Sequence, residues 1–109
     1  MLRNVFAIAA LLCACESNDV SRDVGARCSD DKDCNVRCLD DQPGGFCTVL
    51  CDSDEDCPGG THCITEDGGV CVFACGSDGE CVFLNGDYTC QAVDSEGAGA
   101  KVMVCLGSD

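Results

Sequence analysis

The residues with chemistry to offer are cysteines and carboxylates. Fourteen cysteines and 20 Asp and Glu stand in 109 residues, against a single histidine, His62. From Cys28 onward, twelve of the cysteines fall into a repeated spacing. Cys28-x5-Cys34-x3-Cys38-x8-Cys47 is followed by Cys51-x5-Cys57-x5-Cys63-x7-Cys71, then by Cys75-x5-Cys81-x8-Cys90-x14-Cys105. The first gap is always five residues and the separation between units always three; only the inner gaps vary, as loops do. Thiols at this density either pair or ligate metal. Zinc sites use Cys-x2-4-Cys pairs, and the three-residue gaps at Cys34/Cys38, Cys47/Cys51 and Cys71/Cys75 allow that on spacing alone. In a short chain that leaves the cytosol, disulfides are the expected state. An even set closes without a leftover thiol, and an even count in each unit favours bonds inside units. Twelve cysteines still permit about 10⁴ pairings, so which partners which stays open.

The carboxylates repeat with the cysteines. The five-residue gaps read Ser29-Asp30-Asp31-Lys32-Asp33, Asp52-Ser53-Asp54-Glu55-Asp56 and Gly76-Ser77-Asp78-Gly79-Glu80. Asp31, Asp54 and Asp78 hold the third place, and Asp33, Asp56 and Glu80 the fifth. Short acceptors there suit a capped helical turn or an Asx-turn, satisfying backbone N–H groups that have no core to hide in. The competing chemistry is calcium. Asp52-x-Asp54-x-Asp56 opens like an EF-hand loop, but Cys57 stands where glycine is needed and no acid closes the loop. Turn capping is therefore preferred.

Catalytic chemistry has little to work with. His62 is alone between Thr61 and Cys63, no Cys-x2-Cys redox pair occurs, and no phosphate-binding glycine loop is present. The sequence predicts no catalytic residue and no cofactor.

The segment before the repeats reads as a processing signal. Met1 to Asn4 carries Arg3, and Val5 to Leu12 is an unbroken apolar run. It is too short for a membrane span, which takes roughly 20 apolar residues, and fits a signal peptide over residues 1–14. Leu12-Cys13-Ala14-Cys15 resembles the lipobox of bacterial lipoproteins, with Leu at −3 and a small residue at −1. That resemblance implies diacylglycerol on the Cys15 thiol and attachment to a membrane. Residues 15–27, polar and aperiodic, read as a flexible tether. Glu16 after the lipidated cysteine points, by analogy with lipoprotein sorting, to the outer membrane or cell surface. Ordinary cleavage without lipid, giving a secreted protein, is the alternative.

From Cys15 onward there are 20 acids against Arg22, Arg27, Lys32, Arg37 and Lys101, a net charge of 5 − 20 = −15. Such a surface repels phosphate backbones, so nucleic-acid binding is not expected.

The elements that must position these groups are small. Asp40 to Gly45, Glu66 to Gly69 and Asp94 to Ala100 are turn-rich loops between short apolar stretches, one hairpin per unit. Asn85-Gly86, between Val82-Phe83-Leu84 and Asp87-Tyr88-Thr89, predicts an additional type I′ hairpin. Phe83, Tyr88, Val102 and Val104 are expected to form the core of the third unit. The fold class is small and disulfide-rich: a loop-rich tandem array of three four-cysteine units (28–50, 51–74 and 75–109) with short β-hairpins, stacked as a solenoid.

The repeat, Cys-x-x-Asp-x-[Asp/Glu]-Cys followed by a Gly-containing hairpin, resembles the cysteine-rich repeats of myxobacterial surface lipoproteins. It is also similar to the N-terminal cysteine-rich region of the Dickkopf family. Cys51-x5-Cys57-Pro58-Gly59-Gly60 echoes half of a whey acidic protein domain, without that domain's adjacent cysteine pair. These resemblances imply an extracellular stapled architecture. The expected role is a structural or interaction module that binds a protein or glycan through its hairpin loops. The alternatives are a secreted protease inhibitor or a calcium-dependent adhesion module.

Overall fold

The computed structural model describes residues 20–97 and 99–107. The expected signal peptide (1–14) and the expected lipidation site, Cys15, lie outside the described residues. Each unit opens with a single 3₁₀ turn, at Asp31–Asp33, Asp54–Asp56 and Asp78–Cys81. A two-stranded antiparallel hairpin follows each. Strands β1 (Arg37–Leu39) and β2 (Phe46–Thr48) belong to the first unit, β3 (Thr61–Ile64) and β4 (Val70–Phe73) to the second. The third has β5 (Tyr88–Asp94) and β6 (Lys101–Gly107). The third hairpin is the longest, as its larger last gap suggests.

The register puts the third and fourth cysteines of each unit directly opposite one another: Cys38 with Cys47, Cys63 with Cys71, Cys90 with Cys105. They do not bond to each other. The third cysteine bonds the first and the fourth bonds the second, giving Cys28–Cys38, Cys34–Cys47, Cys51–Cys63, Cys57–Cys71, Cys75–Cys90 and Cys81–Cys105. Each unit is thus a turn stapled twice onto its own hairpin.

The units do not stack as a solenoid, in which each repeat touches only its neighbours. The first and third units meet. The Tyr88 hydroxyl donates to the Pro43 carbonyl at 3.1 Å, the Asn85 side-chain amide donates to the same oxygen at 3.3 Å, and the Gly107 N–H donates to Gln42 Oε1 at 2.8 Å. The driving force is visible in the aromatics. Phe46 of the first unit lies 6.1 Å from Phe73 of the second and 6.2 Å from Tyr88 of the third, and Phe73 lies 5.1 Å from Phe83. No unit can bury its own ring alone, so the rings share one core, with two of the pairs edge-on as aromatic quadrupoles prefer. Tyr88 and Val104, expected as the core of the third unit, are buried there beside Phe46, Ile64 and Val70, with Phe83 and Val102 packed against them.

Strand β4 is buried along its whole length because neighbours approach from both sides. Val70 bridges to Leu50 and Ala74 to Val104. Thr48, itself fully buried, donates its hydroxyl to the Cys71 carbonyl at 2.7 Å and accepts from the Cys71 N–H at 3.0 Å. That reciprocal pair satisfies polar groups which burial would otherwise leave costly.

Two further expectations change. The tether expected over 15–27 is fixed to the body from Val20 on. Val24 is buried in the core, the Gly25 N–H donates to the Cys47 carbonyl, and the Cys47 N–H donates to that of Ala26. The Asn85-Gly86 hairpin does not form. Asn85 instead makes an Asx-turn, accepting from the Asp87 N–H at 2.7 Å, while Tyr88 is drawn into β5 by pairing with Gly107. Core burial of the Tyr88 ring outweighs the local turn preference.

Candidate functional site

The repeated acids are the scaffold on which the loops hang. The third-place Asp of every unit accepts from the N–H of that unit's third cysteine: Asp31 from Cys38 at 2.9 Å, Asp54 from Cys63 at 2.8 Å, Asp78 from Cys90 at 2.9 Å. The fifth-place acid reaches back four residues. Asp33 accepts from the Ser29 N–H, Asp56 from that of Asp52, and Glu80 from that of Gly76. The fifth-place bond is a local cap, as the sequence suggests. The third-place bond is longer in range: it ties the turn to the strand that the disulfide also ties. The Ser53 and Ser77 caps make no side-chain bond, whereas Asp30 accepts from Lys32.

These bonds set the charge state of two carboxyls. Backbone N–H groups, from Ser29 foremost, hold Asp33 below the usual carboxylate range. The Cys63 N–H and then His62 do the same for Asp54. His62 Nδ1 lies 2.9 Å from Asp54 Oδ2, so the single histidine is held by the clamp. Of the calcium candidates, Asp54 is engaged through both oxygens and Asp56 through Oδ2 with Asp52 N–H. The sulfurs of Cys28, Cys34 and Cys38, and their counterparts in the other units, lie within 4.8 Å of one another. They do so as members of disulfides, in which no thiolate is available to a metal.

The hairpin loops, read from sequence as recognition surfaces, fare differently. Asp40 to Gly45 is partly spent on the third unit through Gln42 and Pro43. Asp94 to Ala100 docks its near end onto the second unit: Ser95 is buried, and the Glu96 N–H donates to the Cys63 carbonyl at 2.8 Å. Glu66 to Gly68 remains exposed. The structure brings the first-unit and second-unit loops to one place. A cleft of about 540 Å³ is lined by Asp41 and Gln42 from the first unit, Glu66 from the second, and the face of the β5–β6 hairpin on which Gln91 stands opposite the buried Val104. Thr89, Gln91 and Val93 form its floor with Leu106 and Gly107.

The chemistry of the cleft is that of a fixed polar template. Gln91 Nε2 donates to Thr89 Oγ1 and the Leu106 carbonyl, both at 3.1 Å, and approaches the Gly107 carbonyl at 3.4 Å. Its Oε1 makes no hydrogen bond among the described residues. Gln42 is spent the opposite way: its Oε1 accepts from Gly107 and its amide N–H groups are unused among the described residues. The carboxylates of Asp41 and Glu66 make neither hydrogen bond nor ion pair among the described residues, and both residues are exposed at the rim. Sequence reading placed Asp41, Gln42 and Glu66 in candidate loops. It missed Thr89, Gln91 and Leu106, because strand residues with one polar face carry no local sign that a distant loop will wall them in.

No family model, curated protein or solved structure matches this chain. Its description therefore rests on its own residues. It is a disulfide-stapled, cysteine-rich module.

Proposed function

We infer that the chain is an exported protein of the bacterial cell envelope, held there by lipid on Cys15, whose stapled body presents an interaction surface. The observation that carries this reading is the complete pairing of the twelve repeat cysteines, two bonds to each unit, around a shared core. Bonds of that kind persist in oxidising compartments outside the cytosol. The apolar run Val5 to Leu12, ending at Leu12-Cys13-Ala14-Cys15, supplies a route to such a compartment and a thiol to carry the anchor. A lipid chain alone gives weak, reversible attachment, and the diacylglyceryl group supplies two. In this reading the chain binds rather than reacts, and its partner meets the face that the loops enclose.

The test is the intact mass of protein extracted from membranes of the native host. The expected species has lost residues 1–14, carries diacylglycerol on Cys15, and is lighter by twelve hydrogens through its six disulfides. A water-soluble product without lipid would remove the anchor from the proposal. Free thiols at the repeat cysteines would remove the module.

A further inference from the structure

The cleft has direction. Thr89, Gln91 and Val93 alternate along one face of β5, so at about 3.3 Å per residue the floor is about 13 Å long. The first-unit loop meets one end of the hairpin, where Gly107 donates to Gln42. The second-unit loop meets the other end, where the Thr65 N–H donates to the Asp94 carbonyl at 3.2 Å. Asp41 and Glu66 therefore stand at opposite ends of a trough whose middle offers the Gln91 side-chain carbonyl, with the Gln42 amide and Leu106 toward the first-unit end and Val93 toward the second.

We propose that this trough binds an extended, basic peptide segment of a partner protein, with one Lys or Arg at each end and small or β-branched residues between. Three features select that occupant. Two carboxylates without internal partners, on a chain of net charge −14, disfavour anionic ligands and attract cations. The length of the floor corresponds to about four residues of extended chain, so basic side chains at positions i and i+4 reach the two acids. Between the two acids lie the Gln91 side-chain carbonyl and the Gln42 amide N–H groups, unused among the described residues and complementary to a peptide group, beside the aliphatic Val93 and Leu106. Among the described residues no aromatic ring lines the trough to stack a sugar face. The ordering cost falls on the peptide alone, because the loops are already fixed by bonds to neighbouring units.

The inference rests on the reading of the chain as an interaction module, and the two separate experimentally. A lipid-free mass overturns the anchor and leaves peptide binding untouched, whereas a failed titration leaves the mass result standing.

The probe is an acetylated, amidated Lys-Thr-Val-Thr-Lys peptide titrated at low ionic strength into the oxidised full chain, followed by calorimetry and by NMR shifts of the Gln91 side-chain amide. The expected result is saturable binding that weakens with salt and moves the Gln91 resonance. Asp41→Asn and Glu66→Gln should each weaken it by up to about five-fold, the upper end for an exposed ion pair. Glu55→Gln removes the same charge from an exposed residue outside the trough and should leave binding unchanged. The Asp41 and Glu66 carboxylates make no hydrogen bond or ion pair among the described residues, so both variants should keep the wild-type melting temperature. The proposal is overturned by no binding at millimolar peptide, by equal losses in Glu55→Gln, or by an uncharged N-acetylglucosamine oligomer binding the trough while the peptide does not.

Discussion

The hydroxyl of Tyr88 donates to the backbone carbonyl of Pro43, 3.1 Å away and 45 residues earlier in the chain. With its ring against Phe46, this side chain joins the last unit to the first and closes the array on itself.

Burial pushes the Tyr88 hydroxyl up to about 12; Arg27 pulls it back and Asp41 adds to the rise. The folded value exceeds the ordinary one of 10.0, so the stability it contributes is whole below pH 10 and is lost as pH rises toward 12. Tyr88 is the chain's one tyrosine. Phenolate absorbance should therefore stay below half its final amplitude at pH 11, in a titration fast enough to spare the disulfides. Tyr88→Phe should cost about 1 kcal/mol in denaturant unfolding, since the ring contacts remain and one hydrogen bond goes. A midpoint near 10 with no loss in the phenylalanine variant would mean that the two units do not close.

Acid should loosen the clamps. Asp54 and Asp33 are held below the ordinary 3.8 by bonds that only the ionised carboxylates make well. Their contribution is complete above that value and falls as pH drops through the folded-state values. Melting temperature should decline below about pH 4. The decline should be shallower in Asp54→Asn, which keeps an oxygen for the Cys63 N–H but has no charge to lose. Identical acid limbs for the two proteins would show that Asp54 does not carry the effect.

Disulfide removal should scale with the loop closed. The bond Cys81–Cys105 spans 24 residues and Cys28–Cys38 spans 10. By chain entropy these are worth about 3.5 and about 2.8 kcal/mol. Cys81 and Cys105 are also fully buried, which adds lost packing to the larger figure. Guanidinium unfolding of the paired alanine variants should rank them accordingly. Peptide mapping without reductant should find each first cysteine linked to the third of its own unit, and any link between units would refute the pairing.

Gly45 should resist substitution. Its φ is +77°, and an added Cβ would lie 1.8 Å from the Cys28 carbonyl oxygen. Gly45→Ala should lower the yield of correctly bonded protein sharply, whereas Gly59→Ala, with nothing within 4 Å, should be close to neutral. Equal yields from the two variants would show that the first unit tolerates displacement at the Cys28 carbonyl.

Much of this fold is legible in the sequence for a physical reason. Disulfide geometry constrains local spacing, so the constant five-residue gaps and the loop glycines mark the units and their hairpins. The acids were legible as backbone acceptors. Their reach from Asp31 to the Cys38 N–H was not, because it needs the hairpin in place first. The closure of the array was hidden for a related reason. Phe46, Phe73 and Tyr88 each look like a minor apolar residue in its own unit, and only three dimensions reveal that they serve one core. Asn85-Gly86 misled because a strong local turn signal lost to burial of the residue two places on. Val24 escaped notice as one of a few apolar side chains, without periodicity, in a polar stretch.

The interleaved bonds also set an order of assembly. Each unit holds both partners of both its disulfides, so its covalent frame can close once Cys47, Cys71 or Cys105 in turn has emerged during threading from the N-terminal end. Oxidation can therefore proceed unit by unit, with no cysteine waiting on a later unit. The apolar faces cannot do the same. Phe46 has no complete shelter until Phe73 and then Tyr88 arrive, so a chain halted after the second unit would be correctly bonded yet sticky. Covalent closure is local and early, while solubility is collective and last.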